Sequence, residues 1–428
     1  MISALFRNIR VIDPATGSDT VRDLAIRDGR ILPEGAPVEG LPVIRGDNRV
    51  AAPGFWDVHV HFRDPGNPAA ETRKSGCRAA AAGGFTHVVT MPNTVPAGDN
   101  EGWIREQIED PGLDARILPS ACVTRGRAGQ AVTDIEALAR AGASSFTDDG
   151  NMVVDDGLMR EAMTRAAKLG LPVMDHAILP SIAGKGVVRT SPVAERYPLP
   201  IFPSEAEIRA VERDIRLCEE TGCRVDIQHL SSGVSVEAIR QARARGVPVT
   251  GEASPHHMAL AAEDIPGDDG NYRMNPPLGN RSDMEAIRQG VLDGTLTLFA
   301  TDHAPHTVES KSQGFLKAPF GIIGLETAVG VTYRVMVEEC GLSLLRWVQG
   351  WTTGPAAVLG LPAPSLKAGS VADLVILDLR DEWTVDPSRF RSLSRNTPFS
   401  GWKLRARAVA TVCVGRRTYL DETAGITL

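Results

Sequence analysis

From residue 51 onward, short apolar runs alternate with stretches whose apolar residues recur at helical spacing. The first run, Pro53 to Phe62, sets the pattern. Val58, Val60 and Phe62 alternate with Asp57, His59, His61 and Arg63, which predicts a β-strand that ends as the chain turns at Pro65-Gly66. Positions two apart on a strand face the same way. His59 and His61 can therefore offer both imidazoles to one ion, with Arg63 following on that face. A bare H-x-H is more often two solvated histidines, so this reading needs partners elsewhere in the chain.

Seven more strands are predicted: 87–94, 116–122, 144–147, 171–175, 224–228, the run from Val247 into Pro255-His256-His257, and 296–301. Helical stretches separate them at 69–82, 101–108, 134–141, 156–169, 204–221, 234–245 and 283–292, with one more at 324–339. Ser204 with Glu207 three residues on fits a capping box. Residues 177–203 read as irregular. The stretch between His303 and Phe320 holds Lys311, Gly314 and Lys317 with few apolar anchors, which predicts a mobile lid.

Eight strand–helix units between residues 53 and 361 predict an α/β chain folded as a (β/α)8 TIM barrel, whose function sits at the C-terminal ends of the strands. A doubly wound sheet would give a similar string. The histidines decide for the barrel. Of the nine, all but His87 lie in the first strand or where a later strand gives way to a loop: His176, His229, His256, His257, His303 and His306. Only a closed barrel gathers that many strand ends at one mouth. No glycine-rich dinucleotide fingerprint opens a helix. Residues 1–52 and 362–428 return to strand and turn texture and are expected to pair into a small flanking β-domain.

Composition adds exclusions. The 428 residues carry a net charge of -7, which speaks against a nucleic-acid surface. No stretch approaches the ~20 apolar residues of a membrane span, and no signal peptide is expected. Six scattered cysteines without a C-x-x-C read as reduced thiols in a cytoplasmic protein.

Across nearly its whole length the chain resembles the amidohydrolase superfamily, and within it the longer bacterial dihydroorotases. The motifs that carry the resemblance are P-G-F-W-D-V-H-V-H-F-R-D-P-G at 53–66, M-P-N-T at 91–94, T-D-D-G at 147–150, S-P-H-H at 254–257, M-N-P-P-L at 274–278, A-T-D-H-A-P-H at 300–306 and A-P-F-G-I at 318–322, with single histidines at 176 and 229. The resemblance implies two zinc ions per subunit. His59, His61 and Asp302 would hold one, His176 and His229 the other, and Asp149 with a hydroxide would bridge them. It further implies that Asp302 is the catalytic acid and base, and that Arg63, Asn93, Asn275, His306 and the backbone near Phe320-Gly321 bind substrate. Asp148 is assigned to the loop and His303 to support or packing. His256 and His257 stay ambiguous, one of them expected near the metals.

The implied reaction is the reversible closure of N-carbamoyl-L-aspartate to L-dihydroorotate in pyrimidine synthesis. The implied partners are that small-molecule substrate, a second copy in a homodimer, and aspartate transcarbamoylase. Two other readings remain open: an allantoinase or hydantoinase on the same scaffold, and a non-catalytic subunit of aspartate transcarbamoylase. Hydantoinases and allantoinases usually carry a carboxylated lysine on the fourth strand, and residues 143–152 contain no lysine. Non-catalytic homologues lose metal ligands, and all six are present. The chain departs from the family at Ala177-Ile178-Leu179, where C-E-D is common, and at Gly279, where an arginine is common.

Overall fold

The computed structural model describes residues 1–426. Eight parallel strands stand side by side in chain order: β1 (Phe55–Val60), β2 (Phe85–Thr90), β3 (Arg116–Ala121), β4 (Ser145–Phe146), β5 (Val173–Asp175), β6 (Val225–Ile227), β7 (Val249–Ala253) and β8 (Leu298–Phe299). The ring closes just past β8. Val60 forms a parallel bridge with His303, and the His61 N–H donates to the His303 carbonyl at 2.8 Å. The fully buried Asp57 ties this seam: Oδ1 accepts the N–H groups of His59 and Thr301, both at 3.1 Å, and Oδ2 accepts the Thr301 hydroxyl at 2.5 Å. This is the barrel expected from the alternation of elements.

Apolar side chains fill the interior. Trp56, Val58, Val89, Met91, Met174 and Leu298 pack with residues of the helix Thr353–Leu359. A Cβ on Gly354 would lie 2.1 Å from the Thr297 carbonyl, so that helix meets the chain entering β8 at a distance only glycine allows. The opposite, C-terminal strand ends are left to polar residues.

The two flanks form one further sheet, in the order Arg416–Leu420, Arg407–Cys413, Leu374–Asp378, Arg49–Pro53, Ala4–Asp13, Ser18–Arg27 and Arg30–Ile31, with Val43–Arg45 also paired to Ala4–Asp13. Leu374–Asp378 pairs antiparallel with Arg49–Pro53, which is where the N- and C-terminal stretches meet. Phe6, Ile9, Leu24, Ile376 and Val409 give this sheet its own buried cluster. Among the described residues no helix is long and apolar enough to cross a membrane.

The expected helices are present with shifted ends. The first begins at Arg73 rather than Ala69, because Thr72 and Ser75 close a reciprocal cap. Ser204 is not a cap: its backbone is helical, its side chain makes no capping bond, and Glu207 is buried elsewhere. The irregular 177–203 stretch holds two single-turn helices, Pro180–Ala183 and Pro192–Arg196. Past β8 the helix Ala328–Thr332 widens into a π-helical turn, Tyr333–Glu339. The expected lid is anchored rather than loose. Phe315 is 1% exposed, and the buried Lys311 ammonium donates to the carbonyls of Arg273 (3.2 Å), Pro319 (3.0 Å) and Gly321 (2.8 Å). The pattern of scattered glycine and lysine hid one lysine that acts as an internal anchor.

The seam makes a measurable demand on stability. Asp57→Ala leaves the N–H groups of His59 and Thr301 and a hydroxyl without their acceptor, at about 1–3 kcal/mol per stranded group. Urea unfolding of metal-stripped protein is expected to show a loss of about 3 kcal/mol or more, largely restored by Asp57→Asn, which keeps one oxygen for the two amides. A loss below ~1 kcal/mol would show that the seam closes without Asp57.

Candidate metal centre and substrate pocket

The six expected ligands converge. His59 lies in β1 and His61 just past it, Asp149 follows β4, His176 follows β5, His229 follows β6 and Asp302 follows β8. All six are buried. His61 Nε2 stands 3.0 Å from Asp302 Oδ1 and 3.6 Å from Asp149 Oδ2; His59 Nε2 stands 3.5 Å from Asp302 Oδ1 and 3.3 Å from Asp149 Oδ1. Across the cluster, His176 Nδ1 and His229 Nε2 are 2.9 Å from each other and 3.8 and 3.9 Å from Asp149 Oδ1.

These spacings fit bound cations. A tetrahedral ion with bonds of ~2.0–2.1 Å holds its ligand atoms roughly 3.3 Å apart. His59, His61 and Asp302 form one such group and His59, Asp149 and His229 another, with ligand atoms in each group within 4.8 Å of one another; among the described residues His176, expected with His229, belongs to neither group and stands beside the second. His59 Nε2 is buried with no hydrogen-bond partner. Its other nitrogen, Nδ1, meets Glu252 Oε2 at 3.0 Å, and Nδ1 of His61 meets Asn93 Oδ1 at 2.9 Å. With the ring protons given to those acceptors, both Nε2 lone pairs face the cluster.

Charge points the same way. Burial works against ionisation of Asp149, but His61, His229 and His59 reverse it and hold the carboxyl well below its usual range. Burial likewise opposes charge on Asp302, and His59 and His61 pull its value down. Burial pushes His176 down to about 3, with His229 adding to the effect. Two anionic carboxylates among buried imidazoles form a donor set for divalent cations.

The backbone is strained where two ligands sit. His229 has φ +32° and Asp302 φ +48°, in the left-handed region, at a cost of about 1–3 kcal/mol each. The His229 N–H is held by Glu252 Oε2 at 2.8 Å, and Asp302 lies between Thr301, held by Asp57, and His303, held by bonds to β1.

Around the centre, the predicted substrate residues take these places. Arg63 lies beyond the end of β1 in a turn with φ +52°, not on the strand face that alternation suggested. Burial lowers its guanidinium, and Asp302 and Asp149 act against that, yet among the described residues no carboxylate pairs with it. Asn93 bridges two ligands, accepting from His61 and donating Nδ2–H to Asp149 Oδ2 at 2.8 Å. Asn275 Nδ2 meets His176 Nε2 at 3.0 Å. His306 donates Nε2–H to the Phe320 carbonyl at 2.7 Å, and burial, with Arg63 nearby, pushes it down to about 3. Gly321 has φ +122°, and a Cβ there would come 2.6 Å from Ala304 Cβ. A cavity of about 510 Å³ is lined by Arg127, Gly150, His176, Phe202, Asn275 and Phe320.

Of the remaining predicted residues, Asp148 is a loop brace: its carboxylate takes the Thr124 N–H at 3.0 Å and the Thr124 hydroxyl. His303 Nδ1 accepts the Gly324 N–H at 3.2 Å and its Nε2 faces Glu71 at 3.4 Å, a supporting position. His256 and His257 are both buried beyond β7, with His257 Nε2 on the Pro276 carbonyl at 3.1 Å, and neither belongs to a metal-sized group among the described residues.

Three supporting residues escaped the sequence reading. Glu252 joins the cluster's two halves through one oxygen, Oε2, on His59 and on the His229 backbone. Its signal was a lone carboxylate in the apolar run 247–253. Glu207 accepts the N–H groups of Ser231 (3.1 Å) and Ser232 (3.0 Å) and so fixes the turn after His229. Arg127 donates to the Asp148 and Asp149 carbonyls and fixes the loop that carries Asp149. The sequence reading gave Glu207 to a helix cap, and nothing in the sequence marked Arg127.

Comparison with known proteins agrees with this geometry. A family described as "Dihydro-orotase-like" matches residues 48–235, and an "Amidohydrolase family" matches 317–419. The chain is 43% identical over 420 residues to a dihydroorotase of Syntrophotalea carbinolica, covering 97% of this chain and 98% of that one. It is 41% identical over 425 residues to a dihydroorotase of Bacillus cytotoxicus, covering 98% and 99%. Among solved structures, the L-hydantoinase (dihydropyrimidinase) of Arthrobacter aurescens superposes with a TM-score of 0.85 at 27% identity, covering 97% of this chain and 96% of that one. A D-hydantoinase from Thermus gives 0.82 at 24% identity, covering 98% and 95%, and shares the fold.

Glu252 supplies the test of the centre. Glu252→Gln removes the negative charge behind His59 and is expected to weaken metal binding about 10–100-fold, read by chelator competition on otherwise folded protein. Parental affinity would mean that Glu252 only fills space.

Proposed function

The chain belongs to the dihydroorotase-like family of amidohydrolases, and from that premise we propose that it interconverts N-carbamoyl-L-aspartate and L-dihydroorotate with loss or gain of water, in pyrimidine synthesis. The observation that carries this reading is Arg63, a guanidinium beside the ligand cluster with no carboxylate partner of its own among the described residues. Both compounds bring a carboxylate that does not react, and a guanidinium binds one bidentately. Allantoin and simple hydantoins bring none.

The residues divide the work. His59, His61 and Asp302 would hold one zinc ion and His176 and His229 a second, with Asp149 available to both. Bound there, two ions supply a Lewis acid for the reacting carbonyl and bring water's ionisation toward neutral pH. Asp302 moves the proton: in ring opening a carboxylate oxygen takes it from the attacking water and returns it to the departing ring nitrogen. In ring closure the same oxygen takes the proton of the ureido nitrogen as that atom attacks the carboxyl carbon, and passes it to the hydroxyl that leaves as water when the C–O bond breaks. Arg63 fixes the spectator carboxylate, Asn275 and His306 flank it, and Gly321 lets its stretch lie against Ala304, where a Cβ would collide. Asn93 orients His61 and Asp149, so its contribution to substrate binding is joined to that of the ligands.

Residues 53–361 form the catalytic unit in this reading, and 1–52 with 362–428 the flanking one. A homodimer and an association with aspartate transcarbamoylase rest on the resemblance alone.

Two outcomes test the reading. Dihydroorotate turnover is expected to exceed that of hydantoin and allantoin by orders of magnitude, since a half-buried guanidinium that meets no anion in those rings loses its hydration without a carboxylate in return. Arg63→Met should abolish dihydroorotate turnover with metal content near parental. Equal turnover of hydantoin by the parent would favour the hydantoinase reading, which the fold alone permits. The second outcome concerns pH. Ring closure requires the protonated carboxylic acid as electrophile, and the low ionisation of Asp302 keeps it a base throughout the neutral range. Closure should slow as pH rises while opening quickens; parallel profiles in the two directions would defeat this assignment.

A further inference from the structure

The segment Ser392-Leu393-Ser394-Arg395-Asn396 lies far from the barrel strands in sequence yet reaches their mouth. Its burial alternates: Ser392, Ser394 and Asn396 are 1%, 1% and 3% exposed, and Leu393 is 50% exposed. The period of two is that of a strand, but the buried face is polar. Ser392 donates its hydroxyl to Glu71, whose other oxygen accepts the Leu393 N–H at 3.2 Å, and Ser394 donates to the Ala70 carbonyl at 2.8 Å. These bonds moor the segment to the turn after β1.

Asn396 does something different. Its Nδ2 donates to the Ala304 carbonyl at 3.0 Å and to the Gly321 carbonyl at 3.1 Å, and its Oδ1 accepts the His306 N–H at 3.2 Å. Its own carbonyl accepts the Ile323 N–H at 2.9 Å. One planar amide therefore fastens together the two stretches, 304–306 and 320–323, that meet again where His306 Nε2–H reaches the Phe320 carbonyl. Both of its donors and its acceptor are used. An aspartate lacks the donors, and a serine has one donor where two are needed.

We propose that Asn396 is a positioning residue for the substrate pocket, setting the His306 ring and the Phe320-Gly321 wall from outside the barrel. The proposal rests on the dihydroorotase reading. Asn396 touches neither a metal ligand nor the reacting atoms, so its loss acts on binding: the wall shifts, while the centre stays assembled.

The test uses the full-length, metal-loaded enzyme. Asn396→Asp and Asn396→Ala are expected to raise KM for dihydroorotate at least about tenfold with kcat falling less than about threefold and bound metal unchanged. Ser394→Ala, which severs only the mooring at Ala70, is expected to lower Tm and leave KM within about twofold. Parental KM in both Asn396 variants overturns the proposal, as does loss of metal in step with activity. Should neither variant fold, hydrogen exchange on the parent decides. Dihydroorotate then protects 303–308 and 392–397 together; protection of 303–308 alone overturns the proposal. A parent that does not turn over dihydroorotate defeats the functional reading and this role with it, a result distinct from parental KM in the variants.

Discussion

The architecture hangs on one seam, where β1 meets the chain leaving β8. Asp57, His59 and His61 lie on one side of it, and Thr301, Asp302 and His303 on the other. An open sheet would leave those two groups at opposite edges. Closing it sets His61 3.0 Å from Asp302 and places His59 between Asp302 and Asp149. The two ligands in left-handed backbone are held in that strain by neighbours, through Asp57 on one flank and Glu252 on the other. A buried carboxylate that accepts several backbone N–H groups is well suited to this, because removing it strands every donor at once.

The solved hydantoinases share this scaffold at TM-scores above 0.8, while the relatives alike in sequence are dihydroorotases. The fold is thus common ground and does not by itself choose the substrate, which must be argued from the side chains of the site. On the reading proposed above, the features of this chain that bear on that choice are Arg63, with which no carboxylate pairs among the described residues, and a segment around Asp149 that holds no lysine.

How much was legible follows from what each residue does. The convergence of the six candidate ligands could be read because few side chains bind cations and because strand exits in a barrel share one mouth. The alternation of apolar runs gave the barrel and the flanking sheet for the same local reason. Residues that act through distant partners left no such mark. Glu252 finds His59 across 193 positions, and Asn396 finds Gly321 across 75. Ser204 with Glu207 shows the reverse error: the spacing fits a local cap, but Glu207 gains more from two backbone amides of the turn after His229 than from closing its own helix. Lys311 looked like solvated loop because charge is ordinarily exposed, and three carbonyls overrode that expectation.

The polar alternation of Ser392, Ser394 and Asn396 also has a bearing on how the chain matures. Every barrel strand and every candidate ligand precedes residue 303, while the helix Thr353–Leu359 that fills the barrel interior and Asn396 itself come after it. A chain that stops short of residue 396 would therefore lack the amide that ties 304–306 to 320–323, even with all its barrel strands and candidate ligands made.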